Sequence, residues 1–164
     1  MTEATRFSLP TRPSRWVTRA RPRIDRIACP WLIRRFIDRD AEFLYVPVER
    51  VFSVARETGA IAYDIAHAEP FAHDGENCTF DAFLTAFGLS DPALDALAVI
   101  VRGADTARLD LAPQCAGLLA ISHGLSANFA DDHEMLAHGM TVYDALYAWC
   151  RSQPAGTRDR TPAP

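Results

Sequence analysis

The sequence predicts an α+β fold, with a small N-terminal sheet of about three strands packed against a predominantly helical C-terminal half. Two observations carry this. The short β-rich apolar runs all lie before residue 66, and beyond residue 79 the apolar residues recur at helical spacing. Strands first and helices afterwards argue a sheet covered by a helical layer. The segments between the three runs are long enough for two parallel crossovers.

Each element has its local reason. Residues 15–19 (RWVTR) suit a short strand. Pro30 is unfavourable inside a helix but tolerated in a first turn, so a helix is expected over residues 29–39. Trp31, Leu32, Ile33, Phe36 and Ile37 would form its buried stripe. Residues 43–46 form a second strand closed by Pro47. Residues 48–58 have helical spacing and stop at Gly59, a good residue just past a helix end. Residues 61–65 (IAYDI) read as the third strand. Thr79 can cap a helix that runs through Leu84 and Phe87 to Gly88. Asp91-Pro92 opens another, expected to reach about residue 101. Residues 113–125 and 131–151 complete the helical half. The last carries Met135, Leu136, Met140, Val142, Leu146 and Trp149 at core spacing.

Composition narrows the function classes. An apolar content of 49% with 23% charged residues is that of a soluble globular protein, and 164 residues fit one domain. Residues 14–152 are that domain. Residues 1–13, with Pro10 and Pro13, read as a flexible leader, and residues 153–164 as a disordered tail. No apolar run approaches the roughly 20 residues of a membrane helix, and the N-terminus lacks a signal-peptide core. No membrane association is expected, and the cytoplasm is the expected compartment.

The four cysteines form no CxxC pair, which argues against a zinc ribbon or a disulfide scaffold. Cys115 and Cys150 read as core thiols. Residues 1–39 hold ten arginines and a net charge of +7, whereas the rest of the chain is net −11. Such an arm can bind nucleic acid or lie across its own acidic body. With a body this acidic, nucleic acid is not expected as a partner of this chain. Self-association into a homo-oligomer stays open. No P-loop, dinucleotide-binding glycine pattern, HExxH or nucleophile elbow occurs, so no nucleotide cofactor is expected.

Three stretches could carry chemistry. The first is the loop His73-Asp74-Gly75-Glu76-Asn77-Cys78 with Glu69 upstream. His73, Glu69, Asp74 and Cys78 offer an N/O/S donor mixture that suits Zn²⁺ or another divalent ion, with a further ligand from elsewhere in the chain. The plain alternative is a solvated loop. Cys78 can also be read as a redox or nucleophilic thiol, because the start of the following helix would lower its pKa. The second stretch is residues 23–35. Asp25 and Arg26 precede the expected helix start, where anions bind well, and Arg26, Arg34 or Arg35 could clamp a tetrahedral oxyanion. Arg34, Arg35 and Arg39 could equally form the solvated face of the helix. In the third, Ile100–Thr106, Arg102 and Asp105 flank Gly103 at a helix end and either face a cleft or pair with each other.

Five separated segments, RIDRIACPWLIRRFID, AIAYDI, HDGENCTFDAFL, VIVRGADT and VYDALYAWCR, together resemble the C-terminal domain of the chromate-resistance protein B family, also called the chromate resistance exported protein family. The resemblance covers about residues 15–151. Full-length members look like two-part proteins whose N-terminal half is linked to chromate-responsive transcription control. Asp25, Arg26, Cys29, Trp31, Arg34, His73, Cys78, Arg102 and Asp105 stand where the family's motifs put them. Asp74 departs from a second basic residue often seen after the histidine, and the Glu69–His73 spacing is about one residue longer than in the family.

The resemblance implies a role in chromate tolerance or sensing and supplies no reaction. The resulting expectation is a sensory or accessory domain. In it, Glu69, His73 and Asp105 hold a metal ion or ligand, while Asp25 and one of Arg26, Arg34 or Arg102 contact chromate or a similar oxyanion. The alternative is an enzyme, either a metal-dependent hydrolase or a thiol-dependent chromate reductase using Cys29 or Cys78.

Overall fold

Three parallel strands meet in one sheet of order β2–β1–β3 in a computed structural model that describes residues 6–154. They are β1 (Arg15–Arg19), β2 (Glu42–Val46) and β3 (Ile61–Ala62). Parallel neighbours need a crossover. Helix α1 (Asp25–Leu32) supplies the first and α2 (Val51–Thr58) the second. Trp16 stands in register with Phe43 and Ile61. Alternation along β1 sends Trp16 into the main core with Tyr63, Phe71 and Phe83, and Val17 to the opposite face against Val51 of α2. The third strand is shorter than expected. Tyr63 still donates its N–H to the Val17 carbonyl, but Asp64 adopts φ 53°, which extended backbone cannot accommodate.

The first helix differs most from expectation. It starts at Asp25, four residues early, and places Pro30 in its interior. Proline has no N–H, so the Arg26 carbonyl loses its usual donor one turn on. The Tyr45 hydroxyl, from β2, donates to that carbonyl at 3.1 Å. A tertiary hydrogen bond thus repairs what the sequence breaks. The helix continues as a π-helical turn, Ile33–Ile37, closed by the Asp38 N–H on the Ile33 carbonyl.

The rest follows the periodicity. Helix α3 (Thr79–Phe87) stops at Gly88, whose φ of 60° suits glycine. Helix α4 (Pro92–Asp105) is capped by Asp91 and runs one turn beyond expectation. Helices α5 (Cys115–Asn128) and α6 (Asp132–Ser152) complete the layer. Helix α6 approaches α1 closely, since a Cβ at Gly139 would lie 2.6 Å from Ile27 Cγ2. Phe7, in the segment expected to be a leader, packs edge-on against Phe71 and Phe87 and donates its N–H to Ala86. Residues 1–5 and 155–164 lie outside the described residues. Among the described residues, no helix is long and apolar enough to cross a membrane.

Candidate metal centre

Four segments far apart in sequence bring ionisable groups to one point. Asp25 opens α1, Asp64 ends the strand region after β3, His73 lies in the following loop, and Asp105 closes α4. His73 Nε2 is the hub. It lies 2.9 Å from Asp105 Oδ2, 3.4 Å from Asp64 Oδ1 and 3.6 Å from Asp25 Oδ2. Ligand atoms of Asp25, His73 and Asp105 lie within 4.8 Å of one another, close enough to share one ion. The approach to the cluster is strained. Ile24, a β-branched residue, has φ 21° immediately before Asp25, and Asp64 itself is left-handed. Such conformations cost on the order of 1–3 kcal/mol each and persist only when the surroundings hold them.

The start of α3 holds the carboxylates. The Thr79 N–H donates to Asp25 Oδ2 at 2.8 Å, and its hydroxyl donates to Asp64 Oδ1 at 2.8 Å. Asp25 is completely buried, and its Oδ1 has no hydrogen-bond partner. Burial pushes its carboxyl up to about 8. The nearby His73 imidazole works against this shift, and the charges of Asp105 and Asp64 reinforce it. His73 is 45% exposed and is pushed up to about 12 by the Asp105, Asp25 and Asp64 carboxyl groups gathered at its Nε2, which outweigh its burial. A protonated imidazole therefore supplies positive charge among three carboxyl groups.

The other residues singled out by sequence are distributed as follows. Glu69 is exposed and lines the clefts beside His73, outside the three-residue ligand group. Asp25, which sequence placed with the anion, lies with its ligand atom within 4.8 Å of those of His73 and Asp105. Cys29 and Cys78 are fully buried. Burial raises both thiol pKa values, so desolvation outweighs the helix start that was expected to lower Cys78. The Cys78 thiol donates to Asp81 Oδ2, and the Asp81 side chain accepts the Cys78 N–H. Arg102 pairs with both Asp81 oxygens through the Nε/Nη2 edge of its guanidinium, at 2.9 and 2.6 Å, and not with Asp105. It thus anchors the residue that caps α3. Arg34 donates twice to the Ala41 carbonyl and lies over the Phe43 ring. Arg26 is largely buried, with Nε 3.8 Å from Asp64 Oδ2.

Sequence reasoning missed Asp64, Thr79 as a bridge, and Arg19. The signal for Asp64 was present, since one carboxylate ends the apolar run IAYDI. Arg19 ends β1, and its Nη2 donates to the Asp64 carbonyl at 3.1 Å and carboxylate at 3.4 Å.

Comparison with known proteins identifies the family. The family model described as ChrB, C-terminal domain, matches residues 16–150. Protein ChrB of Cupriavidus metallidurans is 33% identical over 133 residues, which is 80% of this chain and 39% of that protein. The chain therefore spans well under half the length of this relative. No solved structure matches the chain.

Proposed function

The chain belongs to the ChrB C-terminal domain family, and on that premise we propose that it is a sensory or accessory domain of chromate resistance whose working centre is a divalent cation held by Asp25, His73 and Asp105. One observation carries the reading. Three ligand-bearing side chains from distant segments converge within 4.8 Å, and one of them keeps a fully buried carboxylate oxygen without a partner. A buried carboxylate normally has its lone pairs filled, and leaving one empty costs about 1–3 kcal/mol or more. A cation at this position would fill it.

The donor set limits the ion. Two carboxylates and one imidazole, with Asp64 alongside, suit Zn²⁺ or Mn²⁺ better than a thiophilic ion, because Cys78 donates to Asp81 rather than joining the cluster. His73 must lose its proton to become a ligand, so cation and proton compete for the site. Asp64 and Thr79 would orient the ligands around the ion.

The test is calorimetric titration of purified, tag-free protein with Zn²⁺ and Mn²⁺, beside elemental analysis. One equivalent should bind. His73→Ala should weaken it at least a hundredfold while leaving the circular dichroism spectrum unchanged. Absence of metal and heat in the wild type, or equal affinity in His73→Ala, overturns the reading.

A further inference from the structure

Asp64 faces two ways. Its Oδ1 accepts from Thr79 and lies toward His73, whereas its Oδ2 lies 3.4 Å from Arg19 Nη2 and 3.8 Å from Arg26 Nε. Two guanidinium groups thus share one carboxylate oxygen. Neither arginine has its Nε–H in a hydrogen bond, although both atoms are buried. Guanidinium groups carry five N–H donors each and hold partners best through paired hydrogen bonds. Here the acceptors are the Asp64 carboxylate and carbonyl and, at 3.5 Å from Arg26 Nη2, the Arg21 carbonyl. Burial and then the Arg19 charge lower the Arg26 pKa, against the opposing charges of Asp64 and Asp105.

A cleft of about 410 Å³ opens at this edge, lined by Arg19, Asp64, His67, Glu69 and His73 among others. Arg19 is 40% exposed and so can reach a ligand, whereas Arg26 is 14% exposed and sits beside Asp64. Glu69 is exposed. Of the arginines that sequence alone offered as anion clamps, Arg34 is engaged with Ala41 and Arg102 with Asp81, whereas Arg26 stands beside Asp64.

We propose that Arg19 is the contact residue of an oxyanion seat beside the cation centre, with Arg26 as a positioning residue that holds Asp64 and supplies the second positive charge, and that the seat takes a tetrahedral dianion. The inference rests on the cation reading above, since a divalent ion at Asp25, His73 and Asp105 would offset the carboxylates facing the incoming anion. A dianion in the cleft would meet the Arg19 fork on one side and the cation on the other. The guanidinium pair that shares Asp64 would then have a second anionic partner.

Chromate, sulfate and phosphate present this chemistry from different sources, and each is titrated into metal-loaded protein in thiol-free buffer. Wild type is compared with Arg19→Ala and with Arg23→Ala, which removes the same charge at an exposed residue nearby. Saturable binding of at least one anion is expected, weakened tenfold or more by Arg19→Ala and less than twofold by Arg23→Ala. The tightest of the three names the source. Metal affinity should change less than threefold in Arg19→Ala. If the metal binds but no anion does, or both variants lose anion affinity equally, the seat is overturned and the cation centre stands. If no metal binds, the cation reading falls and the seat falls with it.

Discussion

Two buried aspartates bracket the first helical segment, and the protein treats them in opposite ways. Asp38, at its end, accepts from the Ser14 N–H and hydroxyl at 2.6 Å each and from the Asp40 N–H, with Arg12 nearby. Burial would raise its pKa, but the hydrogen bonds from Ser14 and Asp40 and the Arg12 charge outweigh it and hold the carboxyl below its usual range. Asp25, at the start, is buried more deeply yet keeps one oxygen unpartnered, and its pKa rises. Both sit in low dielectric and only one is filled. A carboxylate whose lone pairs are satisfied by the chain itself is a structural part, whereas one left open beside a histidine and a third aspartate fits the cation proposed above.

The largest expected effect would break the structural member of the pair. Asp38→Ala leaves the Ser14 N–H and hydroxyl without their acceptor, beside the Trp16 indole that donates to the same hydroxyl. It should cost about 3 kcal/mol in urea unfolding, with metal affinity changed less than twofold in whatever fraction remains folded. A smaller loss of stability than in Asp25→Asn would erase the contrast.

Asp25→Asn should do the reverse. The amide oxygen can still accept from Thr79, and at neutral pH the wild-type carboxyl is already largely protonated without metal. Apo stability should shift by no more than about 1 kcal/mol, while metal affinity falls about a hundredfold, equivalent to about 2.7 kcal/mol. Unchanged metal affinity would remove Asp25 from the ligand set.

The smallest effect per step, and the sharpest in sign, is pH dependence measured with chelator present. The folded pKa of Asp38 is depressed, so its contribution is present above the unfolded value and lost as pH falls through the folded one. The folded pKa of Asp25 is raised to about 8, so its contribution is full below 3.8 and lost as pH rises toward 8. His73, raised to about 12, has the same sign and loses its contribution above 6.5. Stability should therefore decline between pH 5 and 8, by at most about 1.4 kcal/mol per pH unit for each proton involved. Asp25→Asn should flatten that decline, whereas Asp38→Ala should change only the acid limb. A wild-type profile that rises from pH 5 to 8 relative to Asp25→Asn would contradict the assignment.

How far the site was legible differs residue by residue. His73 and Asp105 stood out because an imidazole in a glycine-containing loop and an acid after an apolar helix are unusual in themselves. The start of the first helix was not legible, because Pro30 reads as a first-turn residue. That reading put Asp25 outside the helix, and the Tyr45 hydroxyl that makes an interior proline tolerable comes from another strand. Asp64 was passed over as the polar end of a strand. Its importance lies in being shared between Thr79, His73, Arg19 and Arg26, which only contacts reveal. Cys78 illustrates the converse. A helix start argues for a reactive thiol, but burial decides the sign.

By itself, the sequence determined the α+β class, the helix stops at Gly59 and Gly88, the Asp91 cap and the family motifs, because period, caps and glycine turns act within a few residues. Tertiary structure decided the strand order, the true start of the first helix, and which acids meet at His73. Those outcomes depend on burial and on partners up to 80 residues apart, as Asp25 and Asp105 are. Local spacing carries no information about either.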